Sequence, residues 1–524
     1  MTHVRKDISK LGAEWNPTVL WYAKAVGAMQ QRAVTDVTSW RFLGAMHGVW
    51  PQLWTAFGYL KAGEKLPTAA VQARYWKQCQ HQSWYFLPWH RGYLAAFEAI
   101  VRKTIHDLGG PADDWALPYW NYDPAHAATL ALPAAFAAAK LPDGSANPLF
   151  VARRYGHGPG KIKLRPVEAT AVATLKDGHF TGGSDGVPPG FGGPQGAFHH
   201  GGENDQAPSG GVESQPHNNV HVAVGGQAPN ADPNDPRNLG LMTNPDTAAL
   251  DPIFWVHHAN IDRLWESWLS NPAHKNPTDA TWLKGPADRV FAMPKPDGGE
   301  FTFTAKDMLD TKAPLLDYTY QALAAAAAAP SRRTERLNAL SAQLPAIAAF
   351  MEAPVAQQPQ SEVIGKNDGA VQLSGDAVET EVRLDPAATA KVAGSFAPSP
   401  ALAAAASEPD RVFLKLENIR SVSDAGLFDV YVGLPAGADP EQHPELLAGV
   451  LSLFGVSKAS RTDGGHSGNG LTQVLEITPI VDALHLQHDS PDLDRLRVRF
   501  VPRTAVTDAQ KVSVGAVSVL RLGA

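Results

Sequence analysis

The 524-residue chain predicts a mainly α domain with long loops, followed by a small all-β domain of sandwich or barrel type. Three observations carry this expectation. Apolar residues recur at helical spacing through roughly the first 110 positions, the pattern turns to strict alternation from Val412, and Ala- and Pro-rich stretches separate the two regions. At about 100–200 residues per domain, the length allows two or three domains. The expected boundaries are 1–350 for the helical domain, 351–408 for an Ala/Pro-rich linker and 409–524 for the β-domain.

Taken in order, Leu20–Ala33 is apolar at helical spacing and free of proline. Asp36–Met46 reads the same way, with Thr35 or Asp36 as its N-cap. Ser83–Leu108 holds a long helix, entered just after Pro88. Residues 124–216 are Ala-, Gly- and Pro-rich and read as long loops. Two helical segments follow, near 217–224 and 251–269. Residues 321–360 are Ala-rich and interrupted by Pro330, Pro345, Pro354 and Pro359. Strands are expected at 412–416, 428–432, 447–453, 471–478, 496–501 and 512–517, where apolar and polar residues alternate.

Composition narrows the function. The formal net charge is −7 and no Lys/Arg block occurs, which argues against nucleic acid and anionic membrane surfaces as partners. No apolar run approaches the ~18 residues of a membrane span, and no apolar stretch follows Met1–Lys6, so a cytoplasmic protein is expected. Export with a helper protein and homo-oligomerisation stay open. Cys79 is the sole cysteine, so an intrachain disulfide and cysteine-based zinc or Fe–S sites are excluded. A metal site would have to be built from histidine and carboxylate.

The 19 histidines supply such a site in two clusters. His81 and His90 lie nine residues apart, with His90 opening a helix and His81 on the segment before it; His47 ends an earlier helical run. The second cluster begins with His217 and His221, whose i, i+4 spacing puts two imidazoles on one helix face. His258 follows downstream, with Asp262 one turn beyond it. Imidazole-only sites suit Zn, Cu, Fe and Ni; two triplets of neutral imidazole without a carboxylate lean towards copper. A lone pair of histidines at i, i+4 also arises by chance on surface helices, and His257-His258 reads equally as one core and one exposed residue. His199 and His200 read as solvated loop residues.

Two flanking motifs resolve the matter. His81-x4-Phe86-Leu87-Pro88-Trp89-His90-Arg91, followed by Glu98, resembles the first copper signature of the tyrosinase and polyphenol oxidase family. Asp251-Pro252-x-Phe254-Trp255-x2-His258-x3-Asp262 resembles the second. The likeness spans residues 1–325 or so, and includes Leu117–Asn121 and the tyrosine motif Asp317–Tyr320. Phe428–Val432 is similar to the FDVYV strand of long forms, in which a β-domain covers the site.

The resemblance implies a four-helix-bundle dicopper core with copper A on His47, His81 and His90, copper B on His217, His221 and His258, and His257 just outside the ligand set. It implies a tyrosinase that uses O2 to hydroxylate monophenols at the ortho position and to oxidise o-diphenols to o-quinones. A catechol or o-aminophenol oxidase without the hydroxylation step is the alternative, with a haemocyanin-like O2 carrier and a helical zinc protein further off. Free phenol has a pKa near 10, so a base is needed; the resemblance assigns Glu213 and Asn218 to holding the water that takes the proton. These two also read as a loop carboxylate and a helix cap. Pro245 stands where the family caps copper A, and Val222 where it lines the substrate path. Cys79 stands where fungal relatives form a thioether to the copper A histidine, here His81; otherwise it is a buried thiol. Phe454 is the candidate for a side chain with which the β-domain plugs the site, although that domain also reads as an oligomerisation or copper-loading module.

Overall fold

The computed structural model describes residues 2–158, 162–196, 207–285, 290–324, 332–342, 360–395, 410–462, 468–487 and 494–523. Five helices organise the first part: α1 (Pro17–Gln31), α2 (Trp40–His47), α3 (Phe86–Asp107), α4 (Asn219–Gly225) and α5 (Pro252–Leu269). Their starts follow capping chemistry. Asn16 and Asp251 accept the N–H groups of Val19 and Ile253, each ahead of a proline at the first helical position. Helix α2 starts later than expected, because Ser39 caps it by accepting the Phe42 N–H. Helix α3 starts earlier, at Phe86, since Pro88 falls in the first turn, where no N–H is required. The expected loop region, 124–216, holds among its described residues short four-residue helical turns and, at its end, the start of the π-helical segment Glu213–Asn218.

A buried charge cluster ties the helices together. Arg91 on α3 donates to Asp262 on α5 (2.6 Å) and to Glu266 (2.8 Å). Arg5, fully buried, donates to Glu98 (2.6 Å) and Asp262 (3.1 Å). Tyr318 and Tyr320 also donate to Asp262, each at 2.5 Å. The strands His3–Arg5 and Tyr318–Tyr320 pair in parallel, which brings the start of the chain and the tyrosine motif to this point. Removing one member of such a buried cluster strands an uncompensated charge, a loss of about 3–5 kcal/mol.

The C-terminal part is an all-β, nearly barrel-like sheet. Its strands are β1 (Gln360–Lys366), β2 (Val378–Leu384), β3 (Arg411–Arg420), β4 (Leu427–Val432), β5 (Leu447–Ser452), β6 (Leu471–Glu476), β7 (Arg495–Pro502) and β8 (Ser513–Gly523), in spatial order 5-4-7-2-1-8-3-6. The short segment Val371–Gln372 also pairs with β8. The two ends nearly meet, since Gln473 on β6 donates to the Val450 carbonyl on β5 (2.8 Å). The six expected strands are all present.

The segment 351–408, read from sequence as linker, is different: it contributes β1 and β2, both antiparallel members of the sheet. Val378–Leu384 alternates strictly, with Glu379, Glu381 and Arg383 on the exposed face, but Ala/Pro-rich flanks set the character of the whole segment. Residues 343–359 and 396–409, parts of the expected domain junctions, lie outside the described residues. The sheet has its own apolar core, but Leu427, Val450 and Phe454 belong to the core of the helical part. Among the described residues, no helix is long and apolar enough to cross a membrane.

Candidate metal centre

Four helices and the segments before two of them bring the expected histidines together. His47 ends α2, His90 lies in the first turns of α3, His221 is on α4 and His258 on α5. His81 and His217 come from the chain just before α3 and α4. His47, His81 and His90, with Cys79, form one group whose nitrogen and sulfur atoms lie within 4.8 Å of one another. His217, His221, His257 and His258 form a second. The groups face each other, with His90 stacked on His258 at 4.4 Å between ring centroids and His81 5.8 Å from His217. Arg91 follows His90 and Asp262 lies one turn beyond His258, so the Arg91–Asp262 pair sets the two ligand helices against each other.

The rings are poised by what their Nδ1 atoms meet. His47 Nδ1–H donates to the Pro245 carbonyl (2.8 Å), His90 to Phe86 (2.8 Å), His221 to Met242 (2.9 Å) and His217 to the Asn218 side-chain oxygen (2.9 Å). An oxygen with no proton to give fixes the ring proton on Nδ1 and leaves the Nε2 lone pair free. The Nε2 lone pairs of His217 and His221 then face each other at 3.2 Å. His47 Nε2 and both nitrogens of His258 are buried without a protein partner. Unpaired buried acceptors are costly, and opposed lone pairs repel; a cation in each group answers both. The donor set fits a pair of soft-to-borderline metal ions.

Burial keeps these imidazoles neutral. It pushes His47 down to about 4 and His217 to about 3, and holds His90, His221, His257 and His258 well below the usual histidine range. Cys79, with its thiol pKa raised by burial, sits 3.4 Å from His90 Nε2 and 3.5 and 3.8 Å from the two ring nitrogens of His81.

A pocket opens on the centre, lined by His47, His81, Glu213, Asn218, Pro245, Phe454 and their neighbours. Glu213 is buried and accepts the Gln82 N–H through both oxygens (3.0 and 2.9 Å). Burial pushes its carboxyl up to about 8, against the pull of those hydrogen bonds. Asn218 has its side-chain oxygen on His217, which leaves its amide N–H groups as donors. Val222, expected on the substrate path, is fully buried on α4 and absent from this lining, since β5 packs against that helix.

The β-domain closes the far side. Phe454 lies stacked on His221, 4.1 Å between centroids and 22° between planes, with its ring near His217 (5.8 Å) and His81 (6.3 Å). Gly455 takes φ +78°, the left-handed turn that a side chain would strain, directly after it. Around this turn Lys458 pairs with Asp246 (3.1 Å), and buried Asp424 accepts from Asn244 (2.7 Å) and from the Ser457 N–H (2.7 Å). Further out, both guanidinium nitrogens of Arg165 reach Asp429, the acid within Phe428–Val432, at 2.9 Å. Sequence reading missed Asp246, Asp424, Lys458 and Tyr122, the last donating to or accepting from His257 Nδ1 (3.0 Å). Only Tyr122 carried a signal, its place just after Leu117–Asn121.

Comparison with known proteins gives this arrangement its relatives. The family model for the common central domain of tyrosinase matches residues 37–174 and 190–271, and one for a domain of unknown function (DUF7868) matches 360–522. Tyrosinase HcTyr1 of Hahella sp. (strain CCB-MM4) is 31% identical over 96% of each chain. A chloroplastic polyphenol oxidase of Malus domestica is 33% identical over 46% of this chain and 38% of its own length. Among solved structures, latent apple tyrosinase shares the fold with a TM-score of 0.56 over 99% of this chain and 97% of its own, at 22% identity. Latent aurone synthase does so with 0.58 over 99% and 89%, at 19% identity.

The pH dependence of the metal-free chain follows from the histidine shifts. Unfolded, each imidazole gains a proton below about 6.5; folded, His47 and His217 stay neutral down to about 4 and about 3. Stability from neutral burial is therefore full above 6.5 and lost as pH falls, by roughly 3 kcal/mol at His47 alone. Glu213 and Asp424, raised to about 8 and about 6, act in the opposite sense, two groups against the six lowered histidines. The denaturant midpoint of metal-free protein is expected to fall between pH 6.5 and 4, and a flat profile would contradict neutral burial.

Proposed function

Because the chain belongs to the tyrosinase family, a family of dicopper oxidases acting on phenols, we propose that it is a tyrosinase that hydroxylates monophenols and oxidises o-diphenols to o-quinones. The observation that carries this reading is the pair of facing imidazole groups in which His47, His90, His217 and His221 are anchored through Nδ1, which leaves Nε2 as the lone-pair atom. Copper A falls to His47, His81 and His90, and copper B to His217, His221 and His258. Bound there, two copper ions supply O2 activation and accept the electrons that phenol oxidation releases.

The chain's own groups handle the proton and the substrate. A phenol entering beside Pro245 meets Glu213 and Asn218 on the pocket wall. Glu213, rigidly held by the Gln82 N–H, has a carboxyl raised to about 8. Its ionised form would be favoured by cations held on the adjacent histidines, and a general base works best with a pKa near neutrality. With Asn218 donating from its amide, the pair orients a water that removes the phenol proton. His217 is held by the same Asn218, so base and ligand share one anchor.

Phe454 occupies the place above His221 that a phenol ring would take, and this supports a β-domain that shields the site. The decisive experiment assays the copper-loaded full chain and its Phe454→Ala and Glu213→Gln variants on a monophenol and on catechol. Oxygen-dependent quinone from both substrates is expected, rising about tenfold or more for Phe454→Ala. Glu213→Gln should lose roughly 10²-fold on the monophenol and far less on catechol. Quinone from catechol alone would leave an o-diphenol oxidase, and a Phe454→Ala variant no faster than the parent would remove the shield.

Cys79 supports a thioether to His81. Its sulfur is near-equidistant from both ring nitrogens, which flank Cε1. The link would fix the ring as a hydrogen bond does in His47, His90, His217 and His221. Intact copper-matured protein is then expected two hydrogens lighter than its sequence mass, unchanged by reductant. A thiol that labels fully in that material would contradict the bond.

A further inference from the structure

His257 and His258 are neighbours on α5 and both reach the second histidine group, yet the copper assignment uses only His258. We propose that His257 is a hydrogen-bond donor to a small anion bound at the metal centre, and not a metal ligand, because Tyr122 fixes its proton on Nε2. The inference rests on the dicopper reading above.

The argument follows the protons. Arg263 Nη1 donates to the Asn260 side-chain oxygen (2.7 Å), which settles the orientation of that amide. With that oxygen engaged, what Asn260 can offer a neighbour is an N–H, not an acceptor. Among the described residues, the hydrogen-bond partner of the Tyr122 hydroxyl is His257 Nδ1 (3.0 Å). The phenol proton therefore has His257 Nδ1 as its acceptor. A neutral imidazole carries one proton, and with Nδ1 accepting, that proton sits on Nε2. The reverse arrangement, Nδ1–H donating to Tyr122, would leave a buried phenol O–H with no acceptor.

His257 thus differs in kind from the histidines assigned to copper. The Nδ1 atoms of His47, His90, His217 and His221 face oxygens that only accept, so their Nε2 atoms present lone pairs. His257 Nδ1 faces a hydroxyl that has to give its proton, so its Nε2 presents an N–H. That atom is buried without a protein partner, and the ring lies against His217, 5.4 Å between centroids and 25° between planes. One ring nitrogen of His257 is within 4.8 Å of one in each of His217, His221 and His258. Nδ1 is taken by Tyr122, so Nε2 is the nitrogen left for that group. An N–H facing it repels a cation but stabilises an anion held by it.

The test titrates oxidised, copper-loaded full-length protein with azide, reading the optical spectrum and the copper content. His257→Leu is expected to keep two copper ions per chain and bind azide about tenfold more weakly. His257→Gln, whose amide restores a donor, is expected to keep two copper ions and recover most of the affinity. Loss of one copper ion in either variant, or unchanged azide affinity in His257→Leu, would overturn the proposal. Should the leucine variant not fold, the glutamine variant decides: two copper ions with near-parental azide affinity sustain it, and one copper ion sinks it. Fewer than two copper ions in the unsubstituted chain would overturn the dicopper reading, and this one with it.

Discussion

Lone pairs aimed at one another inside a protein need a cation between them, and this fold is organised around keeping such lone pairs neutral, fixed and buried. The Nδ1 hydrogen bonds do the fixing. Three of the four go to backbone carbonyls, of Phe86, Met242 and Pro245, so ring orientation is set by main-chain position. Burial does the rest by holding the imidazoles below their usual pKa, so that protons do not compete with metal at neutral pH.

Position of the main chain depends in turn on the charge cluster behind the site. His90 and Arg91 are adjacent, and His258 and Asp262 are one turn apart, so one ion pair serves as the spacer between the two ligand helices. Arg5 and the two tyrosines Tyr318 and Tyr320 complete the shell of Asp262 from opposite ends of the helical region. A buried ion pair contributes little net stability over an apolar substitute; here its value is geometric.

Much of this was legible in the sequence. The helix-to-strand change near Val412 and the strand of Phe454's neighbours follow from periodicity and alternation, which report local structure faithfully; the set of six histidines came from the two flanking motifs, since spacing alone singled out only His217 and His221 as one helix face. What stayed hidden was non-local. Val378–Leu384 alternates as a strand should, but it lies between Ala/Pro-rich flanks and its partner, Arg495–Pro502, is over a hundred residues away. Val222 was expected to face substrate because the resemblance fixes its place after His221 but not what packs on that helix. Asp246, Asp424 and Lys458 carry no local signal in the sequence, because the contacts that bring them together around the Phe454 turn join the two domains. The role of His257 was open for a similar reason: its partner Tyr122 is 135 residues away.

The central claim is that six particular imidazoles hold two metal ions side by side. Anomalous scattering at the copper edge from crystals of the copper-loaded full chain tests it directly. The account predicts two peaks, one bounded by His47, His81 and His90 and the other by His217, His221 and His258. A single peak, or a peak whose nearest nitrogens belong to other residues, would contradict it.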